Sequence, residues 1–166
     1  MAVAKTTSRL PQPLGVSTWF RGLALVTAFA VFGLVVLGGV VRVTGSGLGC
    51  PDWPLCHGGI FPPLQMEAVI EYSHRIVASA LVGPLVLALS VATWIFHRHH
   101  AWLLVPASVA LALTIVQAIL GGIAVENELP AWAVASHMAL GEALLGCIVF
   151  IFVTAYAGQP FIRSTT

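Results

Sequence analysis

Residues 22–41 read GLALVTAFAVFGLVVLGGVV, a run without one charged side chain. About 20 such residues cross the hydrocarbon of a bilayer as a helix, and the run lacks the period-two alternation of a membrane strand. Three further stretches follow the same pattern. Residues 76–96 and 101–125 are equally uncharged, and residues 131–158 are apolar except for His137 and Glu142. Pro84 and Pro106 lie inside or near the ends of these runs, which membrane helices tolerate. The composition agrees, at 58% hydrophobic and 8% charged. Soluble domains carry about 25% charged residues, so this chain has too little polar material for a water-facing surface. Its net charge of +1 gives no basic stripe. A soluble globule, a disordered chain and a nucleic-acid binder are therefore excluded, and the partner solvent is the lipid bilayer.

Charge sets the expected direction of the spans. Lys5, Arg9, Arg21, Arg98 and Arg163 fall at one end with no acid among them, whereas Asp52, Glu67, Glu71, Glu126 and Glu128 share the other with Arg42 and Arg75. The positive-inside rule then puts both termini in the cytoplasm. The expected fold is an all-α integral membrane protein, a bundle of four transmembrane helices. Cytoplasmic tails over 1–21 and 159–166 flank a membrane domain over 22–158 with an outer loop at 44–66. No apolar segment precedes a cleavage site at the N-terminus, so the first span reads as a permanent helix.

The chain also repeats itself. Leu37-Gly38-Gly39-Val40 recurs as Leu120-Gly121-Gly122-Ile123, and Ser73-His74 with Ala80-Leu81-Val82-Gly83 recurs as Ser136-His137 with Ala143-Leu144-Leu145-Gly146. Each repeat is a helix pair. Two crossings per repeat keep both copies in one orientation, which implies a pseudo-twofold axis along the membrane normal. The first copy carries 20 extra residues between its glycine pair and its histidine.

The repeat places His74 and His137 at equivalent positions on the second and fourth helices, each about 30 Å of helix from the cytoplasmic end. A lone membrane histidine is often only a packing group. A pair at symmetric depth fits ligation of a planar macrocycle from both sides, or two walls of one cavity. Glu71, His74 and Arg75 stand at i, i+3 and i+4 and share one helical face. Arg42 closes the first helix at the same level. Guanidinium groups there suit carboxylates such as haem propionates; the plainer alternative pairs Arg75 with Glu71 and lets Arg42 snorkel. Glu142 aligns with Ser79 in the repeat, where an ionised carboxylate is costly, so it is expected to be protonated or to face a cavity or a seam between copies. Tyr72, Trp53 and Trp132 read as interfacial belts, and His97, His99 and His100 as solvated loop residues.

The extra residues carry Gly45-Ser46-Gly47-Leu48-Gly49-Cys50-Pro51-Asp52-Trp53-Pro54-Leu55-Cys56. No strand precedes these glycines and no Gly-Lys-Ser/Thr follows, so a phosphate loop is excluded. Cys50 and Cys56 lie where oxidation allows a disulfide, and the short proline-containing segment between them makes closure sterically reasonable. A metal site is disfavoured, since His57 adjoins but no fourth ligand is evident. Cys147 reads as a small apolar residue within a span.

Arg42 through Cys56, followed by Ile70-Glu71-Tyr72-Ser73-His74-Arg75 and later by Gly121-Gly122 and His137, resembles the haem A synthase family over essentially all of the chain after residue 20. The resemblance implies an oxidoreductase of the prokaryotic plasma membrane that converts the methyl group of haem O to the formyl group of haem A for terminal oxidase biogenesis. Family members consist of two homologous four-helix halves, and this chain is similar to the N-terminal half. By that likeness His74 and His137 match the haem-iron axial ligands and Glu71 a carboxylate required for activity. Cys50 and Cys56 match an outer-loop cysteine pair, and Arg75 follows the histidine as in the family motif. Haem is the implied cofactor, as haem b or as haem O and A in the roles of substrate and product. Haem O synthase and terminal-oxidase assembly factors are implied partners. Because the full-length architecture is a fused pair, a homodimer is expected. The rival reading is a non-catalytic bis-histidine haem carrier or electron-transfer protein. A quinone-coupled disulfide oxidoreductase lacks its second cysteine pair, and a structural assembly subunit has no need of Glu71 or of paired histidines.

Overall fold

The computed structural model describes residues 15–157, and within them the chain forms four long helices. They are α1 (Thr18–Val43), α2 (Met66–Phe96), α3 (Ala101–Glu126) and α4 (Ala131–Ala157), all long and apolar enough to cross a membrane. No strand occurs among the described residues. The tails expected at 1–21 and 159–166 fall largely outside the described residues. Residues 44–65 form a loop between α1 and α2 that contains one turn of 3-10 helix at Ser46–Leu48.

The helices outrun the apolar stretches read from sequence. α1 begins four residues early, at Thr18, and α2 begins at Met66 rather than near Ile76. The added turns of α2 are amphipathic: Ala68 and Glu71 are buried while Glu67 and Val69 are exposed. Composition marks only the part of a helix that meets lipid. The part that meets the loop is charged, yet it is helical too. α2 also changes its winding, with a π-helical segment at Val77–Val82 just before Pro84. Proline has no N–H to donate and its ring crowds the carbonyl one turn back, so a locally wider turn lets the helix continue past it. Pro106 is carried inside α3.

Each helix packs on its two neighbours, α1 on α2 and α4, α3 on α2 and α4, so the four form a ring in which α2 and α4 stand diagonally. The packed core fills only the half of the bundle nearer the tails. Phe20, Ala24 and Val31 of α1 meet Val82, Val86 and Leu89 of α2, Leu103, Ala107 and Ala110 of α3, and Leu144, Ile148 and Ile151 of α4. Ser90 donates to the Ala107 carbonyl at 3.0 Å and Trp94 Nε1 to Ser108 Oγ at 3.0 Å, tying α2 to α3 there. Beyond it lies a layer without buried residues, before burial resumes at the loop around Ala68, Glu71, Gly122 and Ala133. No residue is buried between Val31 and the end of α1, between Glu71 and Val82, between Ala110 and Gly122, or between Ala133 and Leu144.

His97 departs from its expected solvation. It is 7% exposed, its ring lies 4.5 Å from that of Phe20, and its Nε2 is buried without a hydrogen-bond partner. Burial, and then the imidazole of His100, hold His97 below the ordinary histidine range. His99 stays exposed and His100 half-buried.

The core division sets a contrast between adjacent residues. Ile148 is fully buried and Val149 is 41% exposed. Ile148→Ala is expected to lower stability by about 2–5 kcal/mol, and Val149→Ala by less than about 0.5 kcal/mol, read by thermal or denaturant unfolding in one detergent.

Candidate functional site: the loop end of the bundle

Glu71, His74 and Arg75 share the face of α2 turned to the loop, as their spacing requires, and each makes a different contact. Glu71 is 4% exposed. Its Oε2 accepts the Cys50 N–H at 2.7 Å, and its Oε1 accepts from Arg75 Nη2 in an ion pair. Arg75 Nη2 also donates to the Cys50 carbonyl at 2.8 Å, while Nη1 donates to the carbonyls of Asp52 at 2.6 Å and Leu55 at 2.7 Å. Its four terminal N–H groups are therefore all engaged within the chain. The carboxylate beside Arg75 is therefore Glu71, the plainer of the two pairings expected for it, rather than a group left free for a propionate, and the remaining acceptors are loop carbonyls. Arg42, at the end of α1, is exposed and makes no ion pair among the described residues.

Three glycines let the loop lie on this face, each for its own reason. Gly45 has φ +70°, a left-handed backbone that favours glycine. Gly47 sits under Leu129, whose Cδ1 would stand 2.9 Å from an added Cβ. At Gly49 an added Cβ would run into the backbone of Glu67 and Ala68, because the loop touches the first turn of α2 directly. Cys50 and Cys56 are joined by a disulfide and fully buried against Ala68. Cys56 and Gly59 exchange backbone hydrogen bonds at 3.1 Å. Asp52 accepts the N–H groups of Gly58 at 2.8 Å and His57 at 2.6 Å. These donors, Gly58 first, hold its carboxyl below the usual carboxylate range. Tyr72 donates to the Ile60 carbonyl, so its hydroxyl has an intramolecular partner and not only an interfacial one.

His74 and His137 come from the diagonal helices α2 and α4, each near the end that meets the loop. Each rests on a glycine of the helix that precedes it. A Cβ on Gly38 would stand 3.2 Å from His74 Nε2, and one on Gly121 would stand 3.5 Å from His137 Cε1. His137 Nδ1 is buried with no hydrogen-bond partner. An orphaned imidazole nitrogen, two side-chain-free cradles and a layer that the chain's own side chains do not fill all fit a flat, iron-centred ring. A bare metal ion has less to hold it: among the described residues no three His, Cys, Asp or Glu side chains cluster.

Some contacts were not anticipated from sequence. Gln117 Nε2 donates to the His137 carbonyl at 2.9 Å, fixing the backbone beneath that histidine. The only signal was an amide in an otherwise apolar run. Trp53, read as a belt residue, lies with its ring on Gly122, where a Cβ would stand 3.1 Å from Cδ2. Glu142 is exposed on the outside of α4. An apolar cleft of about 470 Å³ between α3 and α4, lined by Trp102, Pro106, Cys147 and Phe150 among others, lies at the opposite end.

Comparison with known proteins adds to this geometry. A family model described as cytochrome oxidase assembly protein (COX15-CtaA) matches residues 21–69, which cover α1, the loop and the start of α2. A protein named Heme A synthase from Bacillus licheniformis is 40% identical over 137 residues, 82% of this chain and 45% of the relative. Similarly named proteins are 33% identical over 144 residues in an Exiguobacterium species, covering 84% and 48%, and 37% identical over 142 residues in Bacillus pumilus, covering 82% and 45%. The chain spans about half the length of the curated relatives it matches.

The contact at Gly49 yields a direct test of how the loop is seated. Gly49→Ala is expected to lift the loop and cost upward of about 3 kcal/mol, whereas Gly33→Ala, with nothing within 4 Å, changes stability by less than about 1 kcal/mol. Hydrogen exchange over residues 44–65 should rise in the first variant only.

Proposed function

This chain is a relative of the haem A synthases corresponding to about half the length of one, and from that premise we propose that it oxidises the methyl group of haem O to the formyl group of haem A for terminal oxidase biogenesis. It is a multi-pass protein of the bacterial plasma membrane. The observation that carries the proposal is the pair of diagonal histidines, each on a glycine, one with an orphaned buried nitrogen. In this reading His74 and His137 would be the residues that hold the haem iron. The matched contacts at Gly38 and Gly121 support the pseudo-twofold relation of the helix pairs. The basic residues at the tail end support a cytoplasmic position for both termini.

Oxidation of an unactivated methyl lies beyond any side chain, so the redox chemistry is that of haem iron with an external electron partner. The chain's own part is to bind, orient and exclude water. Arg42, exposed and without an ion pair among the described residues, would be free to pair with a haem propionate. Arg75 acts through the loop it holds. Glu71 handles a proton at the rim, from a carboxylate held in place by the Cys50 N–H and Arg75. A homodimer belongs to the same reading: Glu142, exposed part-way along α4, is costly against lipid and is covered by a second four-helix unit. Native mass spectrometry of active detergent preparations should then show dimers, and monomers alone would contradict it.

The test of function is expression of the chain in a host that makes haem O but no haem A, with chromatography of the extracted haems. Haem A is expected for the native sequence. Glu71→Gln should retain haem and stall before the formyl stage; undiminished haem A in that variant would contradict the role given to Glu71. A specific observation favours the second reading, a non-catalytic haem carrier or electron-transfer protein: both oxygens of Glu71 already have partners. That reading predicts bound haem without haem A.

A further inference from the structure

Two independent contacts dock the loop on the second helix pair. The Trp53 ring covers Gly122, with Cδ2, Cε2 and Cε3 at 3.1, 3.3 and 3.4 Å from where a Cβ would stand, and Leu129, just after α3, covers Gly47. Gly122 is buried, and its neighbour Gly121 is the residue on which the His137 ring lies. On its other side the same short stretch of loop is held by Arg75, through the carbonyls of Cys50, Asp52 and Leu55, next to His74. The loop therefore runs from the residue beside one histidine to the glycine beside the resting place of the other. The repeat supplies an internal control. Gly39 is the counterpart of Gly122, and nothing lies within 4 Å of a Cβ placed there.

We propose that Trp53 is a positioning residue: by seating on Gly122 it turns the loop into a strap that fixes α2, with His74, against the α3–α4 pair, with His137, and roofs the His137 side of the site against water. This rests on the haem reading for what occupies the site, but the strap itself belongs to the chain. Trp53 acts through α3, by its seat on Gly122. A ring held on a side-chain-free patch is sensitive to a single methyl group. The smallest substitution at Gly122 should therefore act on the site as if the ring had been removed.

The experiment compares Trp53→Ala, Gly122→Ala, the double variant and Gly39→Ala. The first readout is hydrogen exchange over residues 50–56 in the protein without haem. The second is the rate at which cyanide binds the ferric haem-loaded protein. Trp53→Ala and Gly122→Ala should each speed exchange across the strap and raise the cyanide rate about tenfold, and the double variant should be no worse than either alone, since both break one contact. Gly39→Ala should match the native protein in both readouts. The proposal is overturned if Gly122→Ala behaves like Gly39→Ala, or if the effects of Trp53→Ala and Gly122→Ala simply add. Should haem bind equally well after His74→Ala and His137→Ala, the haem reading fails while the exchange data still decide on the strap. If Gly122→Ala does not fold, Trp53→Ala against Gly39→Ala gives the same decision.

Discussion

The loop end of this protein hangs on one guanidinium. Arg75 offers its terminal N–H groups to three loop carbonyls and to Glu71, and Glu71 returns the connection by accepting the Cys50 N–H. An isolated charge at a membrane boundary is expensive, and so is a set of unpaired carbonyls. Brought together, each meets the other's need. The planar fork of arginine suits this geometry in a way that the point charge of lysine does not. Removing either partner leaves a buried ion or a group of orphaned carbonyls, which is why the loop, the disulfide and the start of α2 are one unit.

The same bundle is divided in purpose along its length. At the tail end Phe20, Leu103, Ile148 and Ile151 close the core completely. At the loop end the small residues Gly38 and Gly121 stand where larger side chains would complete the packing, and the histidines lie on them. Close packing cannot be had without filling that layer, which on the proposed reading is the place of the haem. Gln117 shows the division in miniature: its amide, in a helix otherwise devoted to apolar contact, is spent on the backbone of His137.

Much of this was legible in the sequence. Uncharged runs gave the four spans, and spacing alone put Glu71, His74 and Arg75 on one face. The repeat marks the glycine pairs 38–39 and 121–122, but not that the histidines lie on the first of each. What escaped the sequence shares a cause: the partner was backbone or empty space. The acceptors of Arg75 are carbonyls, which every residue has, so no motif announced them. Gly49 is defined by contact with the backbone of α2, and Gly122 by the shape of Trp53. The π-helical turn before Pro84 reflects a steric adjustment that leaves no compositional trace. His97 escapes the rule that a loop position implies water, because the ring of Phe20 from another helix covers it.

On the proposed reading, His74 and His137 would bind one haem iron between them. Pulsed electron paramagnetic resonance of the ferric haem-loaded protein, with histidine labelled with nitrogen-15, counts the imidazole nitrogens coupled to that iron. Two are expected in the native chain, and one after either His74→Ala or His137→Ala. A count of one or none in the native chain, or a count unchanged by both substitutions, would contradict the account.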